Sequence, residues 1–264
     1  METKTLDRQP TSPLLIRAAW FGVILLAMIG VAAAIGRGVF LDDLATRIEP
    51  ERQAFMESLD RNDPHAAERA ADVAWLDRRF AAHPIVTVLH LLPGGIFLLL
   101  APLQFSARLR RRHIRIHRWS GRLVIVTGII GAVTGMYFGL LMPYGGWGEA
   151  VAIAIFGGLF LGAIVRGYVA IRSRQVTRHR EWMIRVLALA LAISVVRILM
   201  GVLDYALTPA GFTPRQNFVL AVWAAWIISL AAAELWIRHT RPRIGLPRTT
   251  LATPTRGSGV ELAE

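Results

Sequence analysis

Six long apolar runs constrain what this chain can fold into. They are Leu14 to Ile35, Pro84 to Phe105, Gly121 to Met142, Val151 to Ile171, Trp182 to Leu207 and Phe218 to Ile237. Each is near the roughly 20 residues that a helix needs to cross about 30 Å of hydrocarbon. Inside a bilayer every backbone N–H and C=O must be paired within the protein, which leaves only helices and closed barrels. Barrel strands would show apolar residues at every second position, and these runs do not alternate. The expected fold class is therefore all-α: a polytopic integral membrane helical bundle of six transmembrane helices. The composition agrees. Hydrophobic residues make up 54% and charged residues 18%, against about 25% charged in an average soluble domain, and the mean hydropathy is +0.46. A disordered chain and a soluble enzyme are both disfavoured. There is no cysteine, which removes disulfides, thiolate metal sites and iron–sulfur clusters.

The first run is longer than the roughly 7–15 residues of a signal-peptide core, so it reads as a retained span. Arginines set the expected orientation. The loop between the second and third runs carries Arg108, Arg110, Arg111, Arg112, Arg115, Arg118 and Arg122. The loop between the fourth and fifth carries Arg172, Arg174, Arg178, Arg180 and Arg185, and the C-terminal tail carries Arg238, Arg241, Arg243 and Arg248. If all six runs span, these segments share one side. The alternate loops, PYGGWGE and TPAGFTPRQ, hold only Arg215. The positive-inside rule makes the arginine-rich side cytoplasmic, with both termini inside a cell (inner) membrane. The formal net charge of +12 then belongs to loops that face anionic lipid headgroups, and nucleic acid is not an expected partner.

Four regions follow: residues 1–36 as cytoplasmic N-terminus and first span, 37–83 as an extracytoplasmic helical cap, 84–238 as a five-helix membrane core, and 239–264 as a cytoplasmic disordered tail. Within the cap, Ile48-Glu49-Pro50 and Asn62-Asp63-Pro64 read as helix starts or turns. A short helix is expected over Glu51 to Leu59, and a longer one with a partly apolar face from His65 to Phe80.

Polar side chains inside the spans are the candidates for function, because burying them in lipid is costly. His90 stands about two turns into the second span, just before Pro93, Gly94 and Gly95, where the helix is free to kink or open. Arg197 and Asp204 lie seven apart on the fifth span. An arginine at that depth wants an acid, a propionate or an anionic substrate. Glu234, near the end of the sixth span, is four residues before Arg238, a spacing that permits a pair. His117 and His179 begin the third and fifth helices at similar depth on the arginine-rich side. Two imidazoles, a flat apolar slot and cations for the propionates are what haem b requires. Arg118, Arg122, Arg180 and Arg185 are the cations in reach, with His117 and His179 as the only metal ligands considered. The alternative for both histidines is a headgroup-binding loop beside the interfacial Trp119 and Trp182.

The stretch from His83-Pro84 to Gly121-Arg122, read together with HREWMIR, Arg197-Ile198 and Ala233-Glu234-Leu235-Trp236, resembles a bacterial family of integral membrane proteins, domain of unknown function 2306. The resemblance covers about residues 83 to 238. It implies a membrane protein and no particular activity, and it places His90, Gln104, His117, Arg118, His179, Arg180, Trp182 and Glu234 in recurring motifs. A looser likeness is to six-helix di-haem cytochromes b, which clamp one haem near each face with histidines on four consecutive helices. The fourth span here has no histidine, and the position that the spacing of His117 and His179 would assign to one is Ala152. The expected function is haem-b-type membrane electron transfer with a quinone or redox partner. The alternatives are a membrane transporter or lipid-handling protein with a polar intramembrane cavity built from His90, Arg197 and Asp204, or a non-catalytic membrane subunit. No nucleotide-binding loop or hydrolase motif is evident.

Overall fold

The computed structural model describes residues 12–39 and 66–241. The expected helix over Glu51 to Leu59 and the tail beyond Arg241 lie outside these residues. All six apolar runs are helices long and apolar enough to span: α1 (Pro13–Val39), α3 (Pro84–Leu103), α5 (Ile114–Leu141), α6 (Trp147–Arg172), α7 (Val176–Leu207) and α8 (Pro214–Thr240). Two shorter helices join them. The helix α2 (Ala66–Ala82) precedes α3, and the six-residue α4 (Ala107–Arg112) precedes α5. Among the described residues the architecture is all-α.

Helix ends follow local chemistry. Pro84 and Pro214 occupy first-turn positions, where the missing N–H costs nothing. Thr213 and Gln216 form a reciprocal capping box at the start of α8. Ser106 caps α4 by accepting from Leu109 N at 3.3 Å. The arginine-rich segments are more helical than their charge suggests. α5 begins at Ile114 rather than Gly121, and α7 at Val176 rather than Trp182. Arginine is a good helix former whose long stem covers apolar surface while its head stays in water, so charge there marks the membrane boundary and not the end of the helix.

Proline 93 lies inside α3. It cannot donate to the carbonyl of Leu89, four residues earlier. The hydroxyl of Thr134 on α5 lies 3.5 Å from that carbonyl, while its proton goes to the Ile130 carbonyl of its own helix at 2.7 Å.

Helices α1, α3, α5, α6 and α7 contact one another in that order, and α7 returns to α1, so five spans close a ring. α8 packs along α7 and α6. Small residues set the closest approaches. A Cβ on Gly139 of α5 would lie 2.6 Å from Ile153 Cγ1 of α6, and one on Gly128 would lie 3.0 Å from the Phe97 ring. Large apolar side chains such as Ile85, Leu92, Leu99, Val126, Leu159 and Ile227 point outward, as lipid-facing positions should. The loops α5–α6 and α7–α8 lie at one end of the bundle with α2. The arginine-rich connections lie at the other, called here the basic end.

The Gly139 contact gives a stability prediction. Ile153 is β-branched and has no rotamer freedom to yield, so Gly139→Leu should destabilise the detergent-solubilised protein by roughly 1–3 kcal/mol. Gly36→Leu should not, because a Cβ there meets nothing within 4 Å. Thermal melts of the two variants check this: equal midpoints would remove the wedge argument.

Candidate functional site

The ring borders a half-open cavity of about 730 Å³, lined by all six spans and by α2. Its deeper part is apolar. Phe97 and Phe160 meet edge to face at 5.8 Å, and Phe156 stacks on Trp226 at 5.1 Å. Gly94, Gly128 and Gly131 also line it and keep the walls thin. The charged groups gather toward α2.

His90 is fixed from α5. Its Nδ1 lies 2.9 Å from the carbonyl of Gly131, with the Thr134 hydroxyl 3.4 Å away. A carbonyl only accepts, so Nδ1 carries the proton, and Nε2 is left with a lone pair. Gly135 makes room for the ring, since a Cβ there would come within 2.9 Å of His90 Cε1. His90 lines the cavity.

Arg197 reaches the same cavity from α7. It is ten residues from the end of the helix at Leu207, about 15 Å along the axis. Its Nη1 donates to the Ile193 carbonyl of its own helix at 3.0 Å. Among the described residues no carboxylate pairs with it. Asp204 also lines the cavity, but it accepts from Asn217 Nδ2 of α8 at 2.8 Å. Seven residues of helix hold Arg197 and Asp204 two turns apart, so the helix-spanning contact goes to the neighbour instead. Glu149, in the first turn of α6, accepts from Gly145 N at 2.7 Å.

α2 covers this end. Asp72 is buried and accepts from Tyr144 Oη at 2.6 Å and from Arg215 Nη2 at 2.9 Å. Arg79 donates to the Phe138 carbonyl at 3.3 Å and sits over the Trp75 ring, while its Nε has no partner. Burial lowers its pKa from the usual arginine value, and the charge of Glu149 opposes that shift. Arg37 at the end of α1 meets Asp77 at 3.5 Å and lies over Phe80. Together these contacts tie α2 to α1, α5, α8 and the α5–α6 loop.

The remaining sequence candidates lie at the basic end and do not line the cavity. His179 Nδ1 donates to the Gly167 carbonyl of α6 at 2.8 Å. His117 is near enough to His179 to interact electrostatically, and its Nδ1 is buried without a partner. Arg185 makes a two-pronged contact with Glu234, with Nη2 to Oε2 at 3.0 Å, and lies over Trp182. Glu234 thus pairs across to α7, the bidentate geometry that a guanidinium favours, rather than with Arg238. Arg180 donates to Thr240, Arg122 lies over Trp119, and Arg118 is exposed. Gln104 donates to Ser120 Oγ at 2.8 Å. Arg241 grips Glu181 with two hydrogen bonds, which raises its pKa above the usual arginine value.

The cavity therefore unites His90, Arg197 and Asp204, and excludes Glu234, Gln104, His117, His179 and the four arginines near them. It adds Arg37, Asp72, Arg79, Tyr144 and Glu149, none of them singled out by the sequence. Arg215, the lone arginine of the α5–α6 and α7–α8 loops, was a visible signal at this end.

The sequence model of a family described as predicted membrane protein (DUF2306) matches residues 87–237, more than half of the chain. The chain belongs to this family. No curated protein and no solved structure matches it. The matched DUF2306 region runs from α3 to α8. It contains His90, Arg197, Asp204 and Glu149, whereas the cavity walls from α1 and α2 lie outside it.

The anchoring of α2 onto the DUF2306 core is testable. Asp72→Ala leaves Arg215 and Tyr144 without their shared acceptor and should cost about 2 kcal/mol, below the 3–5 kcal/mol of a fully buried pair because Arg215 is exposed. Amide hydrogen exchange across residues 71–82 should rise several-fold, with the spans unchanged. Unaltered exchange there would mean that the tie does not hold α2.

Proposed function

We propose that this membrane protein binds an amphipathic small molecule inside the bilayer and acts as a transporter or lipid-handling protein. One observation carries the reading: a half-open cavity bordered by the spans, apolar in its depth, with charged groups confined to one end. Ligand sites occupy about 300–1,000 Å³, are mostly apolar and hold a few fixed polar groups, and this cavity of about 730 Å³ falls within that range. Ionisable groups at such depth generally serve a substrate path. We place the basic end in the cytoplasm of a cell (inner) membrane, where its arginines meet anionic headgroups. The cavity then opens toward the outside under α2. Reporter fusions after Arg112 and Arg174 should read as cytoplasmic, and those after Gly146 and Arg215 as external. A cytoplasmic signal at Gly146 would overturn the orientation.

The function is tested by photolabelling. A Cβ on Gly94 meets nothing within 4 Å, and the residue lines the cavity, so Gly94→Phe puts bulk there without a backbone clash. An alkyl diazirine lipid probe should label cavity residues such as Phe97 and Phe160 in the wild type, and about tenfold less in Gly94→Phe. Labelling confined to outward-facing residues would defeat the proposal.

A second reading rests on His117 and His179. One has an unpartnered buried nitrogen, and the other has Nδ1 anchored with Nε2 free, the state in which imidazole ligates iron. They are the residues that would hold haem b for electron transfer to a quinone or redox partner. The absorption spectrum of the same purified protein decides it: a Soret band lost in His179→Ala favours haem, and no band removes it.

A further inference from the structure

We infer that the ligand of the cavity is an anionic amphiphile, with its carboxylate or phosphate head on Arg197 and its apolar part directed toward the bilayer centre. The inference rests on the cavity reading above and adds the chemistry of the head and the direction of the chain.

The argument begins with charge pairing. Each acid that lines the cavity already has a partner of its own: Asp72 has Arg215 and Tyr144, Glu149 has the Gly145 amide, and Asp204 has Asn217. Arg37 is engaged with Asp77 and the Phe80 ring, and Arg79 lies over the Trp75 ring within reach of the charge of Glu149. Arg197 differs. Among the described residues it has only the carbonyl of Ile193, one hydrogen bond for a group with five N–H donors. A guanidinium this deep is costly unless an anion answers it. A cationic ligand would be repelled by Arg197, and a neutral one would leave it unanswered. A carboxylate or phosphate fits the planar fork of the guanidinium.

His90 sets the second condition. It is close enough to feel the charge of Arg197, and its Nδ1 is held by Gly131, so Nε2 is the atom left for a head group. Arg197 and His90 together therefore offer two contacts to one head group.

Below it the walls are apolar. From Arg197 to Leu189, the lowest lining residue of α7, there are eight residues, about 12 Å of helix. That depth takes an extended chain of roughly ten carbons. The chain passes the Phe156–Trp226 stack, whose Trp226 Nε1 donates to the Leu189 carbonyl at 3.1 Å, and this tryptophan supplies an optical reporter low in the cavity.

The experiment uses full-length protein in nanodiscs and bromine quenching of tryptophan fluorescence. The probes are 11-bromoundecanoate, 11-bromoundecyl phosphate, the methyl ester of the acid, and an 11-bromoundecyl trimethylammonium salt. Trp226→Phe identifies the part of the signal that comes from the cavity. The acid and the phosphate should quench Trp226 saturably, with the ester and the ammonium at least about tenfold weaker, the scale of one lost charge-assisted hydrogen bond. Arg197→Gln should weaken the two anions by at least about tenfold and leave the ester unchanged, and Arg197→Lys should restore part of the loss. Inorganic phosphate alone should not displace the acid. Equal binding of ester and acid, preference for the ammonium, or no effect of Arg197→Gln overturns the anion assignment. Displacement by inorganic phosphate overturns the role of the chain. If no probe quenches Trp226 while the variants remain folded by gel filtration, the cavity reading itself falls.

Discussion

A bilayer supplies no hydrogen-bonding partner, so every peptide group within it must be satisfied by the protein. The bundle is organised around that requirement. Where α3 gives up a backbone bond at Pro93, the Thr134 hydroxyl of α5 approaches the released Leu89 carbonyl. The same few residues of α5 hold His90 through the Gly131 carbonyl and clear space for its ring at Gly135. A helix irregularity, a fixed histidine and the wall of the cavity thus share one stretch of the α3–α5 interface. Substituting any of them alters the others.

The spans were legible because length and apolarity are local properties. Six runs in the sequence became six helices, and only their ends moved, at the arginine-rich approaches where helix propensity prevails over charge. The partners of the polar residues were less legible. Glu234 has Arg238 one turn away, yet its bond goes to Arg185 on α7, because crossing helices bring side chains closer in favourable geometry than successive turns do. Asp72 was one of many acids in its segment, and nothing local distinguished it from Asp77. Its importance comes from Tyr144 and Arg215, which are 72 and 143 residues away. A cavity is the extreme case, since it exists only once the ring order α1, α3, α5, α6, α7 is known.

The two ends of the bundle solve the problem of intramembrane charge in opposite ways. At the basic end each acid takes an arginine from another helix in a two-pronged grip: Glu234 with Arg185, and Glu181 with Arg241. These pairs fasten α8 along α7, and Met183 fills the space beside Gly167, its Cε 2.2 Å from where a Cβ would stand. At the α2 end the pairs lie around the rim of a hollow, and among the described residues Arg197 stands inside it without an acid. The same histidine device, Nδ1 to a glycine carbonyl of the adjacent span, occurs at both ends. The surroundings distinguish them: His90 borders open volume, while the glycine that holds His179 is packed under a methionine.

Charge around the mouth bears on where selectivity resides. Among the described residues Arg215 pairs with Asp72 and Arg37 with Asp77, while Arg79 lies within reach of the charge of Glu149. Charges paired in this way largely cancel one another at a distance and give little long-range steering. Discrimination must then occur deeper, where the dielectric is low and a single guanidinium exerts far more force than it would in water. Arg197 is at that depth. On the proposed reading, a ligand that reaches it places its chain among Phe97, Phe160 and Trp226, so apolar burial would provide affinity and the charge of the head would decide which amphiphile remains.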